Sequence, residues 1–131
     1  MNRKYLERAA KELRNRETME TAALNLEDEL RELEMRLRLG GPRPCLEQKR
    51  DRTAKRLDTL RARMCRCERA LDTLTVRERY LIEHLYAYRT PKLDIMETLH
   101  VEKTAYYRLR RSAVSSFVRA LYGVELYGRQ P

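Results

Sequence analysis

The chain of 131 residues contains no tryptophan, a single phenylalanine, and only four glycines and four prolines. So little Gly and Pro leaves few of the breaks that a fold of many short strands needs. Leu, Glu, Arg and Ala are abundant instead, which predicts helices. No apolar run approaches the roughly 18 residues that span a bilayer as a helix, so no membrane segment is expected. The opening stretch MNRKYLERAAKELRNRE carries no apolar block after its charges and does not read as a secretory leader. Three cysteines are too few, and odd in number, for a disulfide framework, and they suit a reducing cytoplasm. There is no Gly-rich phosphate loop, no Ser-His-Asp arrangement and no metalloprotease motif, so neither an enzyme nor a cofactor is expected. Cys65 and Cys67, two residues apart on a helix, point about 200° away from each other and cannot share a metal. Cys45 falls in a connection, and His84 and His100 have no ligand-like neighbours.

What the chain does have is charge. Lys and Arg total 29 against 20 Asp and Glu, a formal net charge of +9. Residues 1–41 carry nine of each sign, and residues 42–71 carry ten basic groups and four acidic ones. The excess returns in 103–131, with six basic groups and Glu125 as the one acid. Two basic stretches of this kind suit a polyanionic partner, because neutralising phosphates releases counterions. The competing reading is a solubilising surface.

From Asn2 to Leu39 the chain has no Pro or Gly and predicts one long helix. Met19, Ala23, Leu26, Leu30, Leu33 and Leu37 recur at alternating spacings of four and three, a heptad seam. Leu6, Ala9 and Leu13 form a similar stripe upstream, which Arg16 interrupts. Gly40-Gly41-Pro42-Arg43-Pro44 stops the helix. A second helix is expected over 46–71, with its own seam of Leu57, Leu60, Met64, Cys67, Leu71 and Leu74. The two would fold back as a helical hairpin over residues 1–71. Their stripes either pack within the molecule or form a dimerising coiled coil. The acids Glu27, Asp28, Glu29, Glu32 and Glu34 read as the solvated side of the first helix.

From Asp72 the text changes. Thr75-Val76-Arg77-Glu78 is a capping box that opens a helix. Tyr80, Leu81, Leu85 and Tyr88 would face one side of it, and it ends at Arg89-Thr90-Pro91. A short helix follows from Pro91 to about Leu99, with Leu93, Ile95, Met96 and Leu99 as its apolar positions. His100-Val101-Glu102 makes a tight turn, and a long basic helix runs from Lys103 to about Tyr122, stopping at Gly123. A short helix, a three-residue turn and a longer helix is the helix-turn-helix layout. Tyr106, Leu109, Ala113, Phe117 and Leu121 line the apolar face of the last helix. Thr104, Tyr107, Arg108 and Arg111 begin the other face, flanked by Lys103 and Arg110. An α-helix fits the major groove of duplex DNA, and Arg, Thr and Tyr there reach base edges or phosphates. Arg89 and Lys92 would hold phosphates at the start of the shorter helix. The bland reading of the same residues is a three-helix bundle with a basic, solvated face.

This segment resembles the region-4 helix-turn-helix of bacterial sigma factors. The matching residues are Leu74, Arg77-Glu78, Asp94-Ile95-Met96, Leu99-His100-Val101-Glu102 and the basic helix through Ala113. It departs from that pattern at Met96, His100 and Glu102, where Ala, Gly and Ser are usual. The run Lys-Thr-Ala-Tyr-Tyr-Arg-Leu-Arg is closer to phage transcriptional regulators of the ArpU and RinA type, which are similar in length and also have a charged helical N-terminal part. The resemblance covers residues 72–123 and is only architectural over 1–71. It implies a phage or prophage transcription regulator, an activator of late genes working with host RNA polymerase at the nucleoid of a bacterial cell. A sigma factor's polymerase-binding region 2 has no counterpart. The expected protein is thus all-α: a hairpin over 1–71 for oligomerisation or polymerase contact, a DNA-binding domain over 72–123, and a tail over 124–131. The competing expectation is a helical assembly protein, such as a small terminase-type DNA-packaging component.

Overall fold

The computed structural model describes residues 1–127, and every element among them is helical. The fold is all-α. The helices are α1 (Arg3–Arg14), α2 (Arg16–Arg38), α3 (Arg43–Asp72), α4 (Val76–Ile82), α5 (Lys92–Leu99) and α6 (Lys103–Tyr122), with a π turn over Glu83–Ala87 that continues α4. No helix among the described residues is long and apolar enough to cross a membrane.

The chain divides into two compact units, and not at residue 72. One is residues 17–65; the other joins residues 1–16 to 66–131. The expected hairpin over 1–71 therefore loses both of its ends to the second unit. The reason lies in the stripe Leu6, Ala9 and Leu13. Ala9 and Leu13 are buried among Leu71, Leu81, Ile82, Phe117 and Val118, with Leu6 packed against them. The expected tail is tied into the same core. Leu126 is buried, the Asn2 amide donates to the Leu126 carbonyl at 3.1 Å, and the Asn2 side chain donates to the Glu125 carbonyl at 2.9 Å. Residues 128–131 of that tail lie outside the described residues.

The single helix expected over 2–39 is interrupted at Asn15. Arg16, which breaks the apolar stripe in the sequence, is there to make ion pairs: its guanidinium lies 2.8 Å from Glu68 and 3.7 Å from Glu83.

Within the unit of residues 17–65, α2 and the first part of α3 pack antiparallel. Leu33 and Leu37 cluster with Leu46, the Thr53 hydroxyl donates to Glu29 at 3.4 Å, and Arg61 pairs with Glu27. The inner seam of α2 faces this contact, with Met19, Ala23, Leu33 and Leu37 buried. Gly40 allows the reversal because it sits at φ +82°, and a side chain on Gly41 would run into Leu46 at 2.7 Å. The amides of Gly41 and Gly40 donate to the carbonyls of Arg36 and Leu37, a Schellman stop. The third helix begins earlier than expected. Pro44 sits in its first turn, where a missing N–H costs nothing, and Cys45 is thus helical and exposed.

The other unit is built around α6. Tyr106, Ala113, Val114, Phe117 and Val118 point inward from it and meet Leu81, Ile82 and Ile95. Each such fully buried large apolar side chain contributes roughly 1.5–3 kcal/mol. Two expected inward positions face water instead: Leu93 is 72% exposed and Tyr88 62%. Leu93 lies two residues before the fully buried Ile95, so the helical repeat turns it about 200° away from the core. Tyr88 is displaced because the π turn inserts extra residues into the ladder, as the Tyr88 amide bond back to the Glu83 carbonyl records.

Candidate nucleic-acid interface

The site is assembled from the start of α4, the turn after α5 and the first two turns of α6. Thr75 caps α4 as the sequence predicts: its hydroxyl accepts from the Glu78 amide at 3.2 Å, and the Glu78 carboxylate accepts from the Thr75 amide at 3.0 Å. The second oxygen of Glu78 accepts from the Ser112 hydroxyl at 2.8 Å, which fastens α4 to the middle of α6. Burial works to raise the Glu78 carboxyl. The hydrogen bonds from the Thr75 backbone, Ser112 and the Thr75 hydroxyl outweigh it and leave the group below the usual carboxylate range.

The turn has a defined geometry. The His100 amide donates to Glu97 and the Val101 amide to Met96, again the Schellman pattern, with His100 in the left-handed region at φ 53°. Histidine tolerates that region better than most side chains, though less well than glycine. Arg77 adds a bond from its guanidinium to the Leu99 carbonyl at 3.0 Å, so α4 also holds the end of α5. Ile95 is fully buried, and Leu99 and Val101 pack against the core, so the turn is anchored on both sides.

These anchors leave one side of α6 free. Lys103, Thr104, Tyr107, Arg108 and Arg111 are all exposed, and Arg110 is half-buried. At 100° per residue, Tyr107, Arg111, Thr104 and Arg108 span about 100° of the helix surface. Beside Arg108 lies a shallow depression of about 340 Å³, lined by Thr75, Arg77, Val101, Ala105, Leu109 and Ser112.

Lys92 is drawn into this face. Its ammonium donates to the Tyr107 hydroxyl at 2.7 Å and lies 4.8 Å from the centre of that ring. The hydrogen bond from Lys92 and then its charge, with Lys103 and Arg110 adding, make the exposed Tyr107 phenol easier to ionise than usual. Arg89 joins none of these contacts. It is exposed in the left-handed region at φ 51°, ending the π turn, where the Thr90 amide donates to the His84 carbonyl at 2.8 Å.

Two contacts had no signal in the sequence. The Arg111 guanidinium lies over the Tyr127 ring at 4.3 Å from its centre, so a residue assigned to the tail touches the site. Arg77 reads as part of the opening helix, and only the fold shows its bond to Leu99. Elsewhere, burial pushes the Cys67 thiol up to about 11, which leaves it protonated and inert, while Cys65 is exposed.

Comparison with protein-family profiles, with curated proteins and with solved structures found no match to this chain.

Proposed function

We propose that the chain is a DNA-binding transcription regulator whose α6 enters the major groove of duplex DNA. One observation carries the reading. Lys92, Lys103, Arg108, Arg110 and Arg111 surround the first turns of α6, and none of them pairs with a carboxylate among the described residues. A helix surface with that much uncompensated positive charge, preceded by an anchored turn, suits phosphates and guanine edges. In this reading Arg108 and Arg111 read bases, Thr104 and Tyr107 reach bases or backbone, and Lys92, Lys103 and Arg110 neutralise phosphates. Arg89 belongs to the same proposal only as an outlying phosphate contact. Activation of phage or prophage late genes together with host RNA polymerase follows from the resemblance of residues 72–123 to sigma region 4 and to the ArpU and RinA regulators.

The test is selection of duplexes from a random pool, followed by anisotropy titrations of the selected and random sequences. A regulator binds the selected duplex on the order of a thousandfold tighter or more. Binding with no sequence preference would instead mark an architectural or DNA-packaging role, and no binding at all would remove the proposal.

A further inference from the structure

The inner seam of α2 is buried within its own unit, yet the opposite face of the same helix carries a second heptad pattern. Thr21, Leu24, Asp28, Arg31, Met35 and Arg38 follow spacings of three and four and form one stripe. All six are exposed. Leu24 is 61% exposed and Met35 59%, with Leu39 still more open at the end of the helix. Between the two, Asp28 and Arg31 form an exposed intrahelical ion pair at 2.8 Å.

This stripe is complementary to itself in one orientation. Place a two-fold axis midway between positions 28 and 31 and run a second copy antiparallel. Leu24 then meets Met35 of that copy, and Asp28 meets Arg31, each contact occurring twice. Thr21 meets Arg38 at the ends. The apolar pairs flank two ion pairs at the centre. A parallel pairing in register would set Asp28 against Asp28 and Arg31 against Arg31, and like charges reject it. On one flank Glu27 is already neutralised within its own unit by Arg61.

We propose that this outer face of α2 binds a second copy of the chain, forming an isologous antiparallel dimer. This pairing does not depend on DNA binding. The stripe from 21 to 38 is about 25 Å long. One helix face of that length buries an area at the low end of specific interfaces, so the dimer is expected to be a weak, concentration-dependent one.

Sedimentation velocity on the full chain, over roughly 1 to 300 µM, tests it. Wild type is expected to move from monomer to dimer across that range, and the double variant Leu24→Glu/Met35→Glu to stay monomeric, at least about tenfold weaker. Asp28→Arg alone and Arg31→Asp alone each place like charges together and weaken the dimer. An equimolar mixture of those two variants pairs opposite charges again and regains wild-type affinity. Because all four positions are exposed, circular dichroism should show wild-type helicity throughout. A wild-type monomer up to the highest concentration overturns the proposal. So does a dimer that survives Leu24→Glu/Met35→Glu, or a mixture that associates no better than either charge variant alone.

Discussion

Arg16 and Arg79 sit among Glu68, Asp72 and Glu83, whereas the five cations around the start of α6 form no ion pair with a carboxylate among the described residues, although both groups belong to one compact unit. Arg79 reaches Glu68 at 2.7 Å, Asp72 at 2.6 Å and Glu83 at 2.5 Å. The Glu68 and Glu83 carboxylates hold its proton more firmly than an isolated guanidinium would. Glu78, bonded to the middle of α6, is turned inward to Thr75 and Ser112, and Glu102 at the N-cap of α6 makes no ion pair with these cations among the described residues. Composition counts all these arginines alike. Their surroundings separate a cluster that ties the first residue of α2, the end of α3 and α4 together from one whose charge is directed at solvent. The first kind should matter for folding, and the second for binding an anion.

Removing both proposed base-reading arginines is the strongest way to break that contrast. Arg108→Ala and Arg111→Ala should each cost about 1–3 kcal/mol in affinity for the selected duplex. Thermal unfolding should move little, since exposed substitutions usually stay within about 0.5 kcal/mol. Arg79→Ala should show the reverse. It takes from Asp72 its ion-pair partner and leaves Glu68 and Glu83 to Arg16, and about 2 kcal/mol of stability should be lost in urea unfolding, a figure reduced for partial solvent exposure. Duplex affinity of the folded protein should be unchanged.

Glu78→Gln probes the acid that fastens α4 to α6. It weakens the capping box and the bond from Ser112, and about 1 kcal/mol should be lost at neutral pH. The sign with pH follows from the lowered carboxyl. The wild-type contribution is present above the ordinary carboxylate range and disappears as pH falls through the depressed folded value, so the variant's stability curve should be flatter on its acid side and converge with wild type there. The smallest effect concerns the turn. His100→Gly removes the strain of a left-handed histidine and should stabilise by no more than about 1 kcal/mol, leaving the charges of both groups untouched; His100→Val should destabilise.

Local patterns were legible in the sequence wherever the partner of a residue lies within a few positions. The capping box of Thr75 and Glu78, the stop at Gly40 and Gly41, the turn at 100–102 and the inward face of α6 all depend on neighbours at short spacing. What depended on distant partners was not. The stripe of Leu6, Ala9 and Leu13 looks the same whether it packs on a hairpin or on α4 and α6, so its unit was misassigned. Arg16 looked like an interruption because Glu68 and Glu83 are far away in sequence. Leu93 has the chemistry of a core residue but the wrong phase relative to Ile95. The π turn has no compositional signature, and it carries Tyr88 out to solvent. For the candidate site, helical periodicity was enough to place Thr104, Tyr107, Arg108 and Arg111 together. It could not supply the hydrogen bond from Lys92 or the ring of Tyr127, which comes from a segment with no periodicity to read.

The salt dependence of duplex binding tests the central claim most directly, because it counts neutralised phosphates independently of sequence. If Lys92, Lys103 and Arg110 contact the backbone, the logarithm of the association constant should fall linearly with the logarithm of salt concentration, with a slope of roughly −3 or steeper. Lys103→Ala should reduce that slope by about one. A wild-type slope near zero, or a slope that Lys92→Ala, Lys103→Ala and Arg110→Ala together leave unchanged, would show that the uncompensated charge on α6 does not face nucleic acid.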